Sequence, residues 1–124
     1  MVRVEWDRGS ALFSGDVETL AEQKLAQMDI RSTILKAPHH GSNTSSSLEF
    51  LTAVSPRYAV VTRGTGHSRG PMDAAVLRRY ADCHITLFRT DHDGGVIVSL
   101  DEMPVAAIPT RDPLLRGLRV HARP

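Results

Sequence analysis

With 124 residues, 41% hydrophobic and 23% charged, the chain has room for one small domain with a modest core, and wholesale disorder is excluded. The formal charge of +1 argues for no particular partner, because the basic excess of a nucleic-acid binder is missing apart from Arg78-Arg79 and the arginines near the C-terminus. The lone Cys83 excludes an intrachain disulfide and a thiolate metal cluster. No apolar run approaches the roughly 18 residues of a membrane span, and the N-terminus lacks the apolar core of a signal peptide.

Val2, Val4 and Trp6 alternate with Arg3, Glu5 and Asp7, which predicts a half-buried strand from the first residues. A strand with no lead-in suggests a chain that opens in the middle of a larger fold. Asp7-Arg8-Gly9-Ser10 reads as a hairpin turn and Ala11 to Phe13 as the returning strand. After Asp16, Ala21, Leu25 and Met28 share one helical face, with Glu22, Gln23 and Gln27 turned away. Ser32 to Lys36 is a short buried strand ending at Pro38. Ser46 and Glu49 form an S-x-x-E capping box ahead of Phe50, Leu51 and Val54, and Pro56 marks the stop. Tyr58 to Thr62 is another buried strand.

The segment 63–71 is a Gly-containing polar loop carrying His67. Met72 or Asp73 opens a helix through Tyr80, with Pro71 at its start. His84 to Arg89 and Val96 to Leu100 read as strands joined by a hairpin turn over Thr90-Asp91-His92-Asp93-Gly94-Gly95. From 101 to 124, prolines and scattered arginines replace periodicity, which predicts a mostly disordered tail. The order ββαβαβαββ is an α/β pattern, and its His and Asp residues fall in loops at strand ends, where open α/β sheets build sites.

Two of those loops carry the chemistry. Leu12-Phe13 runs into Ser14-Gly15-Asp16, and Ile34-Leu35 runs into Pro38-His39-His40-Gly41-Ser42. Carboxylate and imidazole are the donors of a hydrolytic divalent-metal site. Asp16 also suits a helix N-cap, the blander role for an Asp ahead of a helix. Adjacent histidines diverge from an extended backbone, so one of His39 and His40 coordinates while the other orients a partner or contacts substrate. Ser42 or Asn43 can fix an imidazole tautomer. His67 is either a ligand or substrate contact, or a solvated loop histidine. His92 reads as a solvated turn residue, and His84 and His121 carry no weight. Arg78-Arg79 reads as a solvated face.

Phe13-Ser14-Gly15-Asp16-Val17-Glu18, Leu35-Lys36-Ala37-Pro38-His39-His40-Gly41-Ser42 and Phe88-Arg89-Thr90-Asp91-His92-Asp93-Gly94 together resemble the metallo-β-lactamase superfamily. More narrowly, they are similar to the C-terminal soluble domain of ComEC-type DNA-uptake (competence) proteins. Ser55 to Val61 and Val76-Leu77 also fit, so the likeness covers residues 1–100. It implies the C-terminal half of a metallo-β-lactamase-like αββα sandwich over 1–100, with 101–124 as the tail. Asp16 and His39 or His40 are then metal ligands and catalytic residues, the metal being zinc or manganese. The implied activity is metal-assisted hydrolysis of DNA phosphodiesters when the domain is complete, in a chain related to membrane-attached DNA-uptake proteins.

Two departures accompany the likeness. The superfamily's His-x-(His/Asp)-x-Asp-His cluster, which belongs to the N-terminal half, is missing from this chain. The family's Asn-x-Tyr-Gly-His-Pro stands where this chain reads His67-Ser68-Arg69-Gly70-Pro71-Met72. His67 takes over the role of that late histidine as a ligand, or the role is lost. The expected partners are DNA and the missing N-terminal half or a second copy of the chain. The other functional class left open is a non-catalytic half-domain that binds DNA or protein.

Overall fold

Alternation builds the first hairpin. β1 (Val2–Trp6) pairs antiparallel with β2 (Gly9–Phe13), with Trp6 opposite Gly9. A Cβ at Gly9 would lie 2.8 Å from Thr33 Oγ1 and 2.9 Å from Trp6 Cζ2, so only glycine fits there. The protein is described here from a computed structural model that covers residues 1–64, 70–99 and 106–110, with 106–109 as backbone only.

Three parallel strands follow β2 in chain order: β3 (Ile34–Lys36), β4 (Tyr58–Val61) and β5 (Thr86–Arg89). They complete a five-stranded mixed sheet in the order β1-β2-β3-β4-β5. Parallel neighbours need a crossover, and the helices supply it. α1 (Thr19–Leu25) links β2 to β3, α2 (Leu48–Val54) links β3 to β4, and α3 (Ala74–Asp82) links β4 to β5. The architecture is α/β, as the alternation of strand and helix signals requires.

The pleat sorts the strands into two faces. Leu12, Leu35 and Ala59 lie side by side and fully buried, and the core of Phe50, Leu51, Val54, Val76 and Tyr80 from α2 and α3 packs with them. On the opposite face Phe13, Lys36, Val60 and Phe88 form the neighbouring row, flanked by Val2 and Val4 of β1. No helix covers that face among the described residues. Val2, Val4 and Phe13 are 61%, 49% and 50% exposed.

Several expectations need correction. In α1 the buried residue is Glu22, and of the expected face Leu25 packs against the core while Ala21 and Met28 face solvent, so the buried face is turned toward Glu22. Its carboxylate accepts hydrogen bonds from the backbone N–H of Ser46 (2.6 Å) and Ser47 (2.8 Å). The local cap of α2 is one residue later than expected, with Ser47 Oγ accepting from Phe50 N. Two orphan donors ahead of this helix are therefore satisfied by a carboxylate from another helix, and the S-x-x-E box at Ser46 does not form.

The hairpin expected across 90–95 is also absent. Thr90–Asp93 form one helical turn, α4, and β6 (Val96–Ser99) leaves the five-stranded sheet. It pairs antiparallel with β7 (Ala106–Pro109) in a separate two-stranded sheet. Residues 106–109 of the expected tail are thus strand, while 111–124, with His121, lie outside the described residues. His67 lies outside them too. Where the earlier strands were expected to be longer, β3 and β4 are trimmed to Ile34–Lys36 and Tyr58–Val61.

Candidate functional site

Because β2 to β5 run parallel, their C-terminal ends fall along one edge of the sheet, and the segments that follow them converge there. Ser14-Gly15-Asp16 follows β2, the 3-10 turn Pro38–Gly41 follows β3, Thr62-Arg63 follows β4 and Thr90-Asp91 follows β5. An edge of this kind is where open α/β sheets place their ligands.

The turn after β3 is unusual in its backbone. His39 (φ 43°), His40 (φ 52°) and Gly41 (φ 76°) are three successive residues in the left-handed region. Two of them carry a Cβ, and each non-glycine residue held there costs about 1–3 kcal/mol. The surroundings hold it. His39 N donates to Gly15 O (3.0 Å), Ser42 N to His39 O (3.0 Å), and Ser45 Oγ to Ser42 O (2.9 Å).

The two imidazoles separate as expected, although from a left-handed and not an extended backbone. His39 Nδ1 lies 3.0 Å from Glu18 Oε1, and that same oxygen accepts from Thr44 Oγ1 at 2.8 Å. His40 Nδ1 lies 2.7 Å from Thr62 O and 3.0 Å from Thr62 Oγ1. A carbonyl oxygen only accepts, so Nδ1 of His40 is the donor in that contact, and in the neutral ring Nε2 keeps its lone pair. That nitrogen faces Asp16, with Oδ1 at 3.7 Å. Side chains of His40 and Asp16 are 36% and 64% exposed, so the pair is open to solvent and ligands.

Asp16 does not cap α1. The helix starts at Thr19 with Glu18 at the capping position, and Asp16 stands clear of it. Beside it lies Lys36, on the row of the bare face. Burial pulls the Lys36 ammonium below its usual pKa, and the Asp16 carboxylate pulls it partly back. An open groove of about 660 Å³ runs past Ser14, Asp16, Glu18 and Thr44. The His40 imidazole, oriented by the Nδ1 contact with Thr62, and the exposed carboxylate of Asp16 are groups of the type a divalent cation takes. They are two donors. No cluster of three His, Cys, Asp or Glu residues suited to a metal forms among the described residues.

Sequence reasoning missed the partners that orient the histidines. Ser42 and Asn43 were the candidates, but Ser42 Oγ bonds Thr44 Oγ1, and the rings are held by Glu18 and Thr62. Glu18 could have been found, since it follows Asp16 by two residues in the same loop. His92 is exposed and bonded to Asp93, as a turn residue would be (2.7 Å).

No family model matches the sequence. Among curated proteins, the chain is 37% identical over 110 residues to the competence protein ComA of Neisseria gonorrhoeae, covering 86% of this chain and 16% of that protein. It is 29% identical over 89 residues to ComE operon protein 3 of Bacillus subtilis, covering 70% of the chain and 12% of the relative. Its homologues include competence proteins. Another relative is the uncharacterized protein YcaI of Escherichia coli, 32% identical over 102 residues, covering 80% of this chain and 14% of that protein. The chain thus spans about a sixth or less of the curated relatives it matches. Among its described residues no helix is long and apolar enough to cross a membrane.

Proposed function

We propose that this chain forms one half of a metallo-β-lactamase-like hydrolase domain of the DNA-uptake type. In this reading Asp16 and His40 supply two of the ligands for a divalent metal, zinc or manganese. The observation that carries the reading is the His40 ring, pinned through Nδ1 to Thr62 so that Nε2 faces Asp16 at 3.7 Å. Its relation to competence proteins points to DNA as the substrate.

A divalent cation bound there would supply Lewis acidity toward a phosphoryl oxygen. Asp16 contributes negative charge that holds a cation, and His40 contributes a neutral nitrogen whose direction is set before binding. His39, tied to Glu18, stands beside them as a group that positions substrate. Lys36 places a cation near Asp16, suited to a phosphate oxygen approaching along the sheet edge. In this reading the remaining ligands come from the other half of the domain, whose strands cover the face of the five-stranded sheet opposite α2 and α3.

Metal titration of the purified chain followed by a nuclease assay tests this. The expected result is weak zinc or manganese binding that Asp16→Ala and His40→Ala each abolish, with negligible cleavage of single-stranded DNA, because chelate affinity falls with each missing donor. Binding unaffected by both substitutions overturns the ligand assignment. Robust cleavage by the pure chain shows that it completes its own site. Saturable DNA binding that needs neither metal nor Asp16 marks a non-catalytic binding module.

A further inference from the structure

The Phe88 to Gly94 segment stands out in the sequence, and its contacts lead to His40 by way of the chain just past β4. The hydroxyl of Thr90 accepts from Arg63 N at 2.8 Å and donates to Arg63 O at 2.7 Å. The β4–β5 ladder pairs Val61 with Arg89, so Thr90 extends it by one step with a side chain gripping both backbone groups of Arg63. Arg63 is 8% exposed at its side chain. Its guanidinium donates to His40 O (3.3 Å) and Gly70 O (2.9 Å), with Nε 3.9 Å from Asp91 Oδ2. Asp91 is in turn fixed by two bonds from Arg89, at 2.7 and 3.1 Å.

His40 is therefore held at two points by consecutive residues. Its ring is held by the carbonyl and hydroxyl of Thr62, and its own carbonyl by the side chain of Arg63. Both anchors depend on where the chain lies just past β4, and Thr90 fixes that point. A left-handed histidine backbone does not hold itself, so the support must come from outside the turn. Outer partners of a ligating imidazole set its tautomer and direction.

We propose that Thr90 and Arg63 are positioning residues for His40, with Asp91 bracing Arg63, so that the α4 corner fixes the imidazole in the Nδ1–H tautomer. Its relevance to activity rests on the reading of His40 as a metal ligand, but the positioning itself does not. The hydroxyl is what matters at position 90. Thr90→Val keeps the shape and removes both bonds to Arg63, while Thr90→Ser keeps them.

Two-bond and three-bond 15N correlation spectra of the His40 ring, recorded without metal at a pH where the imidazole is neutral, read the tautomer directly. The expected wild-type signature is the Nδ1–H form alone. In Thr90→Val the Nε2–H form appears beside it, and Thr90→Ser restores the single form. Arg63→Met, which keeps the apolar stem and removes the bond to His40 O, provides a second variant with the same expected loss, and backbone amide spectra identify which variants are folded. A folded variant of either kind whose His40 ring remains wholly Nδ1–H overturns the proposal. Zinc is added only afterwards. A ring that responds to both variants but not to zinc leaves the positioning role intact and removes His40 from the ligand set, so the two failures are told apart.

Discussion

Glu22 has no exposed surface and its two carboxylate oxygens each take a backbone N–H from the loop that carries the histidines toward α2. Glu22→Ala strands both donors in the interior and leaves a cavity, and the expected loss of stability is about 3 kcal/mol, read from the denaturant midpoint. Tyr80 lies against the same loop, its hydroxyl 2.8 Å from Ser46 Oγ. Burial pushes its phenol up to about 12 from 10.0, with the Ser46 bond and the Arg79 charge pulling the other way and the Glu22 charge adding to the rise. Between those values the folded protein keeps a proton that the unfolded chain has lost, so stability is full below about pH 10 and falls as pH rises toward 12. Tyr80→Phe removes this dependence. Unfolding curves of the two proteins across that window should differ in slope with pH, and equal slopes would discount the buried phenol. Arg79 completes the cluster by donating to Ser45 O at 2.7 Å, a role that the reading of Arg78-Arg79 as a solvated face did not foresee.

At the scale of elements, Gly41 is a joint that is both left-handed and crowded. Its φ is +76°, and a Cβ there would lie 3.0 Å from Met72 Cε and 3.1 Å from Val61 Cγ1. Gly41→Ala combines left-handed strain with crowding and should cost about 1–3 kcal/mol in chemical denaturation. Gly15 has φ +69° and nothing within 4 Å of the place a Cβ would take, so its alanine variant should lose only the backbone share, about 1 kcal/mol. Equal losses at the two glycines would mean that the packing of Met72 yields freely. The strands were legible because period-two alternation at Val2, Val4 and Trp6 and short apolar runs at Leu35 and Val60 leave little else to build. α1 was not. With seven residues and one buried side chain, its face is chosen by where Glu22 finds donors, a long-range contact that no local periodicity encodes. The 90–95 segment misled for a related reason. Turn-forming residues announce a reversal of the chain but not whether the next strand rejoins its sheet, and here β6 departs to pair with β7. In the site, Asp16 and the pair His39 and His40 were visible as residue types after buried strands, whereas Thr62, Arg63 and Thr90 have ordinary side chains whose contacts depend on parallel register.

At the scale of the molecule, the described helices α2 and α3 lie on one side of the five-stranded sheet. α2 and α3 seal the face of Leu12, Leu35 and Ala59, and the reverse face carries a groove of about 420 Å³ lined by Val4, Trp6, Phe13, Ile34 and Val60, which Val98 of β6 reaches. Lys36 and Thr62 give that groove its polar end, next to the Asp16–His40 pair. Contiguous apolar surface beyond a few hundred Å², roughly, is rarely left open by a monomer. In the longer relatives further chain is available to cover such a face, and in the isolated chain the nearest equivalent apolar surface is that of a second copy. Concentration-dependent self-association is therefore expected in sedimentation experiments, together with binding of a hydrophobic dye. Val4→Lys combined with Phe13→Lys places two charges on residues about half exposed in the monomer, where they are tolerated, but across a dimer contact they must be desolvated. The double variant should sediment as a monomer, bind less dye and unfold near the wild-type midpoint once the wild type is diluted. A wild-type chain that stays monomeric at high concentration without binding dye closes this face by itself, and the case for a covering sheet from a larger protein then fails.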